Sequence, residues 1–425
     1  MIDENHLAIN AIRKKLLGKQ LRYKEIFAIM DEISKKKFGD ILTTYFAASG
    51  YSKGFSNQEL YYLTKAMVET GEKLEFKGIV ADKHSIGGVP GTRTTPIVVA
   101  IVAAAGFKIP KSSSRAITTP DGTADDMEVL APVTLSKKQI YEVVAKTNGC
   151  IVWGGSFNLA PADDIIIQVE KPLSFESFDK VLVSIMAKKI AFGSNHVVID
   201  IPWGKSVKVH SLKDAENLGK KFVFLAKKFK IKLKPLIHRT DEPAGRGIGP
   251  VLQIREALRV LQQTKNRPLD LEIRALNLSS NLLELCLSDS DKELKKEIKD
   301  IYGNAFGWAT DLLQSGRAFE KFKEIVKAQG GNPNINSESL LLGKHVFEEK
   351  ADKGGVIKEL NSKHITSIAK ILGAPKQKSS GIYLNKKIGD KVNKDETIYT
   401  LFSENVYNLK EGKESLINFP IVKYE

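Results

Sequence analysis

The first 75 residues place apolar side chains at helical spacing. The stretch from Tyr23 to Ser34 and the stretch that begins at Asn57 both carry apolar residues that would share one face of a helix. The second stretch follows a serine, which is a common helix N-cap. Residues 5–75 are therefore predicted to form a module of short amphipathic helices.

Short apolar runs dominate the next part of the chain. Residues 78–81, 150–153 and 197–201 are predicted to be buried strands, and helical stretches separate them. Residues 97–106 predict a buried helix that has a proline before it and a glycine as its stop. Strands that alternate with helices indicate a βαβ arrangement around a mostly parallel sheet. Ligands of such sheets bind at the carboxyl ends of the strands.

A polar, turn-rich segment at 332–337 marks a further boundary. Beyond it, residues 354–357, 381–384 and 397–402 are predicted strands around a helix at 365–372. The predicted fold class is therefore α/β, with a small all-α domain, a larger α/β domain that has a mostly parallel central sheet, and a C-terminal α+β domain.

The composition is typical of a globular protein with several domains. The chain has 425 residues, of which 42% are hydrophobic, and this is enough to bury more than one core. No apolar run approaches the roughly 18 residues of a membrane span, and the N-terminus does not resemble a signal peptide, so we expect a cytoplasmic protein. The cysteines and histidines show no metal-ligand spacing, so no metal is predicted. Cys150 and Cys286 are predicted to pack in the core.

The formal net charge of +15 raises the question of nucleic-acid binding. Clustered basic residues bind nucleic-acid phosphates through counterion release. Here the lysines are spread along the sequence, and most have acidic residues within a turn or two. This distribution favours a solvated basic surface that attracts anionic substrates. A nucleic-acid-binding protein is the distant alternative, which a mobility-shift series over salt concentration would detect.

Two polar loops flank the predicted buried helix and carry the candidate chemistry. The loop at 82–95 combines hydroxyls and cations with three glycines, and the loop at 112–123 adds hydroxyls beside Arg115. An oxyanion needs hydroxyls, a cation and accessible backbone N–H groups, and a helix N-terminus favours the same ligand. Neither a Walker loop nor a dinucleotide fingerprint occurs here. The spacing therefore indicates anion binding without identifying a reaction, and either loop alone could equally be a simple connection.

Three short segments resemble the signature of a known enzyme family. They are residues 83–89, with the sequence Lys-His-Ser-Ile-Gly-Gly-Val, residues 114–118 and residues 122–125. The combination resembles the thymidine and pyrimidine nucleoside phosphorylases, and most closely their nucleoside-monophosphate (AMP) phosphorylase branch. These enzymes cleave an N-glycosidic bond with inorganic phosphate and release a base and a pentose 1-phosphate, or ribose 1,5-bisphosphate from a nucleotide. The resemblance extends from near residue 20 to residue 402.

The resemblance implies a domain organisation. Residues 1–75 and 161–193 would form the all-α domain, residues 76–160 and 194–335 the α/β phosphate-binding domain, and residues 336–425 the C-terminal α+β domain. It also implies a homodimer that needs no cofactor, uses phosphate as co-substrate and closes about a hinge. Archaeal members of the AMP branch carry a further N-terminal domain without a counterpart here, so we expect a shorter homologue or a truncated chain.

The resemblance also assigns site residues position by position. Phosphate would be bound by Lys83, Ser85, Gly87, Gly88, Thr94, Ser113 and Thr123. The nucleoside or nucleotide would contact Gly88, Ser114, Arg115, Thr119, Thr123, Ser184, Lys188 and Lys208. The catalytic residues would be His84, Glu176 and Lys188.

A helix beyond residue 174 would supply the second half of the site. Ser184 and Lys188 are four residues apart and share one helix face, which suits recognition of a base. Ser174 is predicted to cap this helix, which places Glu176 in its first turn. Members of the AMP branch have an aspartate at this position that protonates the leaving base, so the resemblance implies that Glu176 is the acid.

Three alternatives for the reaction stay open. Val169 stands where thymidine phosphorylases have an arginine that contacts the base, which favours a nucleotide substrate. The missing N-terminal domain favours thymidine or another pyrimidine nucleoside instead. An anthranilate-type phosphoribosyltransferase has a similar fold but uses magnesium and diphosphate. Asp163 and Asp164 could suggest a metal, but they lack partners at ligand spacing and are predicted to form a turn or to start a helix.

Overall fold

The structure is a computed structural model that describes residues 4–50, 54–116, 119–156, 159–170 and 177–425. Its first part is helical, as the apolar spacing predicts. The helices are α1 Glu4–Leu16, α2 Tyr23–Ser34, α3 Gly39–Ser49 and α4 Asn57–Glu69. Ser56 caps α4, because its hydroxyl accepts a hydrogen bond from the Glu59 backbone N–H while the Glu59 carboxylate accepts one from the Ser56 N–H.

Two later helices pack against this N-terminal group. Their bounds are α8 Pro161–Glu170 and α9 Phe178–Ala191. Ile26 of α2, Leu60 of α4 and Met186 of α9 are fully buried in one shared apolar core. This core gives the helical part its own hydrophobic centre.

The start of α9 differs from the prediction. Ser177 has extended backbone angles, φ −104° and ψ 130°, immediately before the helix. Because a helix cannot run through an extended residue, α9 begins at Phe178, and the predicted start after Ser174 is wrong. Ser174 and Glu176 themselves lie outside the described residues.

A parallel sheet forms the centre of the α/β part. The strands β1 Ala81–Ser85, β4 His196–Trp203 and β5 Lys232–Arg239 pair in that order. On the other side of β1, the strand β2 Ile109–Ser113 pairs with β3 Gly149–Trp153, and a bridge between Val80 and Lys108 joins the two groups. The order β3-β2-β1-β4-β5 is parallel throughout, which confirms the predicted mostly parallel sheet.

The sheet also differs from the prediction in two respects. β1 starts at Ala81 and continues through Ser85, although the apolar run ends at Ala81 and the next residues are assigned to a loop. β2 and β5 are missing from the prediction. Each of these strands carries lysines or other polar side chains, so none shows the apolar run that signals a buried strand. Backbone pairing with a neighbour extends the strands into polar sequence.

Helices cover both faces of this sheet. They are α5 Thr95–Ala104, α6 Thr123–Met127, α7 Lys137–Thr147, α10 Leu212–Lys228, α11 Pro250–Leu261, α12 Leu269–Ser288, α13 Lys292–Tyr302, α14 Ala305–Gln314 and α15 Arg317–Ala328. Val198 of β4 packs into the core that contains α5 and α12, whereas Val197 and Ile199 pack into the core that contains α10. The predicted buried helix is α5, and its residues 97–103 are almost fully buried.

The C-terminal part is α+β, as predicted. Its elements are β7 His345–Lys350, β8 Gly355–Leu360, α16 Ser362–Ile371, β9 Gly381–Leu384, β10 Lys391–Val392, β11 Thr397–Ser403, α17 Val406–Ser415 and β12 Val422–Tyr424. The strands form two sheets, ordered β10-β8-β12 and β6-β9-β11-β7, where β6 is Gly247–Ile248. Ile248 is buried in the C-terminal core, so β6 ties the α/β part to the C-terminal part.

Cys150 and Cys286 are free and fully buried, in agreement with the prediction. Burial raises the pKa of both thiols to about 12, so they stay protonated packing residues at neutral pH. Among the helices of the described segments, none is long and apolar enough to cross a membrane.

Candidate active site

The carboxyl ends of the central strands bring the two predicted loops together. Ser85 ends β1 and lies opposite Asp200 of β4. Ser113 ends β2, and extending the Val80–Lys108 pairing along both strands places it level with Ser85. Because parallel strands end at the same sheet edge, the hydroxyls that follow or end these strands lie in one region.

Lys83 is the buried cation at this edge. It lies two residues before Ser85 on β1, so the two side chains are on the same face. Its Nζ donates hydrogen bonds to Thr94 Oγ1 at 2.9 Å and to Thr95 Oγ1 at 3.3 Å. Burial lowers the pKa of Lys83 to about 8, although the charge of Asp200 opposes this shift. Thr94 immediately precedes α5, so the N-terminus of that helix lies beside the ammonium group.

Arg93 holds the second loop against the first. Its Nη1 donates to Thr123 Oγ1 at 2.9 Å, its Nη2 lies 2.7 Å from Asp121 Oδ1, and it also pairs with Asp126. From the sequence, Arg93 is only one of the polar residues of the loop at 82–95. No local signal reveals its role, because its partner hydroxyl lies 30 residues later in the chain.

We call Lys83, Ser85, Thr94, Ser113 and Thr123 the anion cradle. The hydroxyl of Ser113 is buried and has no hydrogen-bond partner within the described part of the chain. A buried hydroxyl without a partner costs free energy, and most such groups in proteins are paired. The orphan hydroxyl therefore fits a site whose ligand supplies the acceptor.

Two glycines allow close approach beside the cradle. Gly87 has φ +81°, and a Cβ there would lie 2.8 Å from Lys208 Cγ. Gly88 has φ +49°, and a Cβ there would lie 3.3 Å from Thr119 Cγ2. Both positions thus favour glycine, because of the positive φ and because a neighbouring side chain fills the space. The structure brings the predicted residues Gly87, Gly88, Thr119 and Lys208 together.

Ser114 and Arg115 follow β2 directly and lie within the second loop. A Cβ on Gly122 would lie 2.3 Å from the Ser114 carbonyl oxygen, so this contact requires glycine. Arg115 makes a two-pronged ion pair with Glu128, at 2.6 and 2.7 Å, and lies over the ring of Trp153. The hydrogen bonds from Arg115 lower the pKa of Glu128 to about 2. Arg115 thus has a partner within the protein, and its predicted contact with the nucleotide stays a prediction.

A dense cluster of basic groups lies around Asp82 and the predicted catalytic residue His84. Asp82 lies 2.7 Å from Lys189 Nζ and 3.7 Å from Lys111 Nζ. Burial and the charge of Lys189 hold the pKa of Lys111 well below its ordinary value. Burial, Lys189, Lys111 and Lys83 likewise hold the pKa of His84 well below its ordinary value, so the imidazole is neutral at neutral pH. The cluster therefore has one carboxylate among several buried basic groups. A bound anion would favour the protonated forms of these groups, so the cluster suits an anionic ligand.

The helical half of the site contains Ser184 and Lys188, which share one face of α9 as predicted. Lys188 Nζ lies 2.8 Å from Asp163 Oδ2 and 3.4 Å from Ser184 Oγ, and Ser184 donates to the same carboxylate oxygen at 2.8 Å. Burial opposes the charged form of Lys188, but Asp163 and Asp164 raise its pKa above the ordinary value. Asp163 and Asp164 are predicted to form a turn or a helix start, and both lie in the first turn of α8. The ion pair to Lys188 was not predicted.

A second network absent from the prediction surrounds Asp200. Its Oδ2 accepts a hydrogen bond from Ser85 Oγ at 2.7 Å, and its Oδ1 accepts one from His238 Nε2 at 2.6 Å. Arg274 Nη2 lies 3.7 Å from the same Oδ1. Burial opposes ionisation of Asp200, but His238, Arg274 and Lys83 lower its pKa to about 2. Asp200 is therefore a carboxylate at any physiological pH.

His238 and Arg274 also line a cavity of about 790 Å³ between β5 and α12. Asp200 reaches this cavity, whereas none of the five cradle residues lines it. The cavity therefore does not coincide with the anion cradle.

Two predictions on the chemistry are left untested by the structure. Glu176 lies outside the described residues, so its role as an acid stays a prediction. Within the described ranges, no group of three or more His, Cys, Asp or Glu side chains could hold a metal ion.

Three family models match successive parts of the chain. The Glycosyl transferase family, helical bundle domain, matches residues 9–71, and the Glycosyl transferase family, a/b domain, matches residues 77–318. The Pyrimidine nucleoside phosphorylase C-terminal domain matches residues 356–418.

Similar proteins extend over nearly the whole chain. The AMP phosphorylase of Methanococcus vannielii is 44% identical over 397 residues, which are 93% of this chain and 76% of that protein. The AMP phosphorylase of Methanocaldococcus jannaschii is 42% identical over 414 residues, which are 96% of this chain and 79% of that protein.

A solved structure supports the fold independently. Anthranilate phosphoribosyltransferase from Thermus thermophilus aligns with a TM-score of 0.57 at 16% sequence identity, and the alignment covers 75% of this chain and 99% of that one. At this identity the likeness shows a shared fold only. The family models and the relatives together show that the chain belongs to the pyrimidine nucleoside phosphorylase family of glycosyl transferases.

Proposed function

We propose that this enzyme is a nucleoside-monophosphate phosphorylase. It takes a nucleoside 5′-monophosphate and inorganic phosphate and gives a free base and ribose 1,5-bisphosphate. The relatives that cover more than nine tenths of the chain are named AMP phosphorylases, and this supports a nucleotide substrate. The observation that carries the proposal is the anion cradle. Its Ser113 hydroxyl, which has no hydrogen-bond partner among the residues that the structure describes, lies at the same sheet edge as the buried ammonium of Lys83.

The cradle would hold phosphate against the anomeric carbon of the pentose. An oxygen of phosphate forms a bond to that carbon as the bond to the base nitrogen breaks, and the bonding electron pair leaves with the base. Positive charge then develops on the sugar and negative charge on the base. The bound anion stabilises the first, and hydrogen-bond donors beside the base must stabilise the second.

Lys188 supplies a donor beside the base, whereas Ser184 donates its own proton to Asp163 and can offer the base only a lone pair. The ion pair with Asp163 keeps Lys188 charged in spite of burial, so its ammonium can donate to a ring nitrogen or carbonyl as negative charge develops. His84 is neutral and can donate one hydrogen bond to the sugar or the base edge. Glu176 is our proposed source of the proton that the departing base takes up.

Lys208 is our proposed partner for the 5′-phosphate. Its side chain lies directly against Gly87, in the loop that follows Ser85 at the end of β1. A cation at this position is close to the cradle without being part of it. The proposed reaction uses two anionic groups, so a second cationic group beside the first is the feature that would separate nucleotides from nucleosides.

The two halves of the site lie on different structural parts. The cradle is built on the central sheet, whereas Ser184 and Lys188 lie on α9, which packs with the N-terminal helices. We propose that a hinge closure brings phosphate and nucleotide together and expels water that would otherwise hydrolyse the sugar.

We also propose that the enzyme is a homodimer. Leu17 of the turn after α1 and Ile41 of α3 are 72% and 74% exposed, and Leu16 and Tyr45 are exposed nearby in the sequence. Exposed apolar side chains of this size are typical of an interaction surface when they are contiguous. A cytoplasmic location, a role in nucleotide salvage, and independence from cofactors and nucleic acids stay predictions.

The test is a substrate panel measured with and without phosphate. Free base and pentose phosphate are quantified for AMP, CMP, UMP and thymidine. Phosphate-dependent release of base from a nucleotide supports the proposal. Activity on thymidine with none on the nucleotides would overturn it in favour of a thymidine phosphorylase. Turnover that needs diphosphate and stops with a magnesium chelator would instead indicate a phosphoribosyltransferase.

A further inference from the structure

The hydroxyls of the anion cradle differ in what they can do. Lys83 Nζ donates to Thr94 Oγ1, and Arg93 Nη1 donates to Thr123 Oγ1, both at 2.9 Å. Ammonium and guanidinium groups have no acceptor capacity, so both threonine oxygens must accept. Each threonine therefore keeps its own proton for a ligand. Ser113 has no hydrogen-bond partner within the described segments, so its proton is available as well.

Ser85 has the opposite polarity. Its hydroxyl lies 2.7 Å from Asp200 Oδ2. Asp200 is ionised, because His238, Arg274 and Lys83 surround it, and an ionised carboxylate can only accept. Ser85 must therefore donate its proton to Asp200. Toward a ligand in the cradle, Ser85 presents only oxygen lone pairs.

These groups share one sheet edge. Ser85 and Asp200 are directly paired across β1 and β4, and Ser113 lies level with Ser85 on β2. Lys83 is on the same face of β1 as Ser85, and its hydrogen bond to Thr94 places that threonine beside the same edge. The cradle therefore offers a ligand four donor groups, which are three hydroxyls and the Lys83 ammonium. It offers one acceptor, the hydroxyl of Ser85.

We propose that the cradle selects a protonated oxyanion, with Asp200 as the residue that sets this specificity. Ser85, fixed by Asp200, accepts the P–OH proton of hydrogen phosphate, while Thr94, Ser113 and Thr123 donate to its other oxygens. Sulfate has the same shape and charge but no proton, so it meets the lone pairs of Ser85 and is disfavoured. This inference rests on the proposed function, since it concerns the anion that the reaction consumes. Asp200 acts through Ser85 and is a positioning residue.

The surroundings of Asp200 allow a single substitution to turn Ser85 from an acceptor into a donor toward the ligand. Its Oδ1 accepts from His238 Nε2 at 2.6 Å and faces Arg274, while only Oδ2 faces Ser85. In the variant Asp200→Asn, the two donors hold the amide oxygen at the Oδ1 position. The amide NH₂ then points at Ser85 and donates to it. Ser85 would have to turn its own proton toward the ligand.

The experiment measures the affinity of the full-length protein for phosphate and for sulfate by calorimetry, without nucleotide, above the second pKa of phosphate. We expect the wild type to bind phosphate more tightly than sulfate by roughly 10- to 100-fold, the factor for one hydrogen bond to a charged group. In Asp200→Asn the ratio should fall toward one, with sulfate bound more tightly than by the wild type. In Ser85→Ala the affinity for phosphate should fall, while the affinity for sulfate should stay the same or rise.

Asp289→Asn is the matched control. Asp289 also pairs with a histidine, His196 Nε2 at 3.0 Å, but at the opposite end of β4. The ratio of the two affinities should not change in this variant. Ser85→Ala removes a single oxygen, so it decides the question even if Asp200→Asn does not fold.

Two results would overturn the inference alone. One is equal affinity of the wild type for phosphate and sulfate. The other is a loss of affinity by the same factor for both anions in Ser85→Ala, which would show that Ser85 acts as a donor. Either result leaves the proposed function intact if base release still requires phosphate. A wild type that neither binds phosphate nor releases base in its presence would remove both proposals together.

Discussion

Lys188 of α9 and Asp163 of α8 form a partly buried ion pair, with 2.8 Å between Nζ and Oδ2, and Ser184 donates to the same carboxylate oxygen. The residues are 25 positions apart in the sequence, on helices that meet in the N-terminal core. Asp163 thus fixes the direction of two side chains predicted to contact the base. The charge of Asp163 also favours the protonated form of Lys188.

The variant Asp163→Asn tests this relationship. Removal of the carboxylate favours the neutral amine, because the negative charge that raises the pKa of Lys188 is lost while the burial that lowers it stays. We expect the alkaline limb of the pH–rate profile to move to lower pH and kcat/KM to fall by roughly 10- to 100-fold, the factor for one lost charge-assisted hydrogen bond.

Asp164→Asn is the control for this prediction. Asp164 also raises the pKa of Lys188, but through its charge alone. Its removal should shift the alkaline limb in the same direction by less. An unchanged alkaline limb in Asp163→Asn would show that Lys188 does not act in its charged form.

Arg93 should be important for stability as well as for phosphate binding. Arg93→Met would leave Asp121 and Asp126 buried without their counter-charge, and removal of one partner of a buried pair costs about 3–5 kcal/mol. Arg93→Lys keeps the charge, but an ammonium lacks the branched guanidinium that reaches Thr123 and both carboxylates together. We expect a large loss in the free energy of unfolding for Arg93→Met, measured in urea. For Arg93→Lys we expect a smaller loss with a raised KM for phosphate.

Arg255 of α11 provides the comparison. Arg255 pairs with Glu338, whose side chain is half exposed, so Arg255→Met should cost no more than about 1 kcal/mol. Equal losses for Arg93→Met and Arg255→Met would contradict a special role for the buried pair.

Phosphate affinity should decrease as the pH rises through about 8. Burial lowers the pKa of Lys83 to this value, so the ammonium that attracts the anion is present below it and lost above it. The bound anion favours the protonated form, which makes the dependence a linked proton uptake. Calorimetry above the second pKa of phosphate isolates this titration from that of the ligand. Lys83→Gln should bind phosphate weakly with no further decrease over the same range, and a wild type of constant affinity would contradict the assignment.

The sequence predicts those parts of the fold whose apolar residues follow one period. The helices α2 and α4 and the strand β3 show this, because each has one face or one run buried in a core. It misses β2 and β5 and the length of β1, since Lys111, Lys234 and Lys83 interrupt the apolar run. Tertiary pairing with neighbouring strands determines these segments, and a single-sequence pattern does not contain it.

The site shows the same division. Lys83, Ser85 and the glycines after them form a continuous motif, so both residue chemistry and family resemblance point to them. Asp200, by contrast, is a single acidic residue in an apolar strand, and His238 comes from a strand that lacks a local signal. Their significance lies in distances of 2.6 and 2.7 Å between atoms on different strands. Only the fold brings those atoms together.

Lys208 should distinguish nucleotides from nucleosides. In Lys208→Ala we expect kcat/KM for a nucleoside 5′-monophosphate to fall by roughly 10- to 100-fold, because a charge-assisted contact with the 5′-phosphate is lost. The same variant should change kcat/KM for the corresponding nucleoside little, since that substrate has no 5′-phosphate. Lys205→Ala is the matched control, because Lys205 is an exposed lysine of the same segment and should leave both values unchanged. Equal losses for nucleotide and nucleoside in Lys208→Ala would show that Lys208 supports the Gly87 loop and does not recognise the 5′-phosphate.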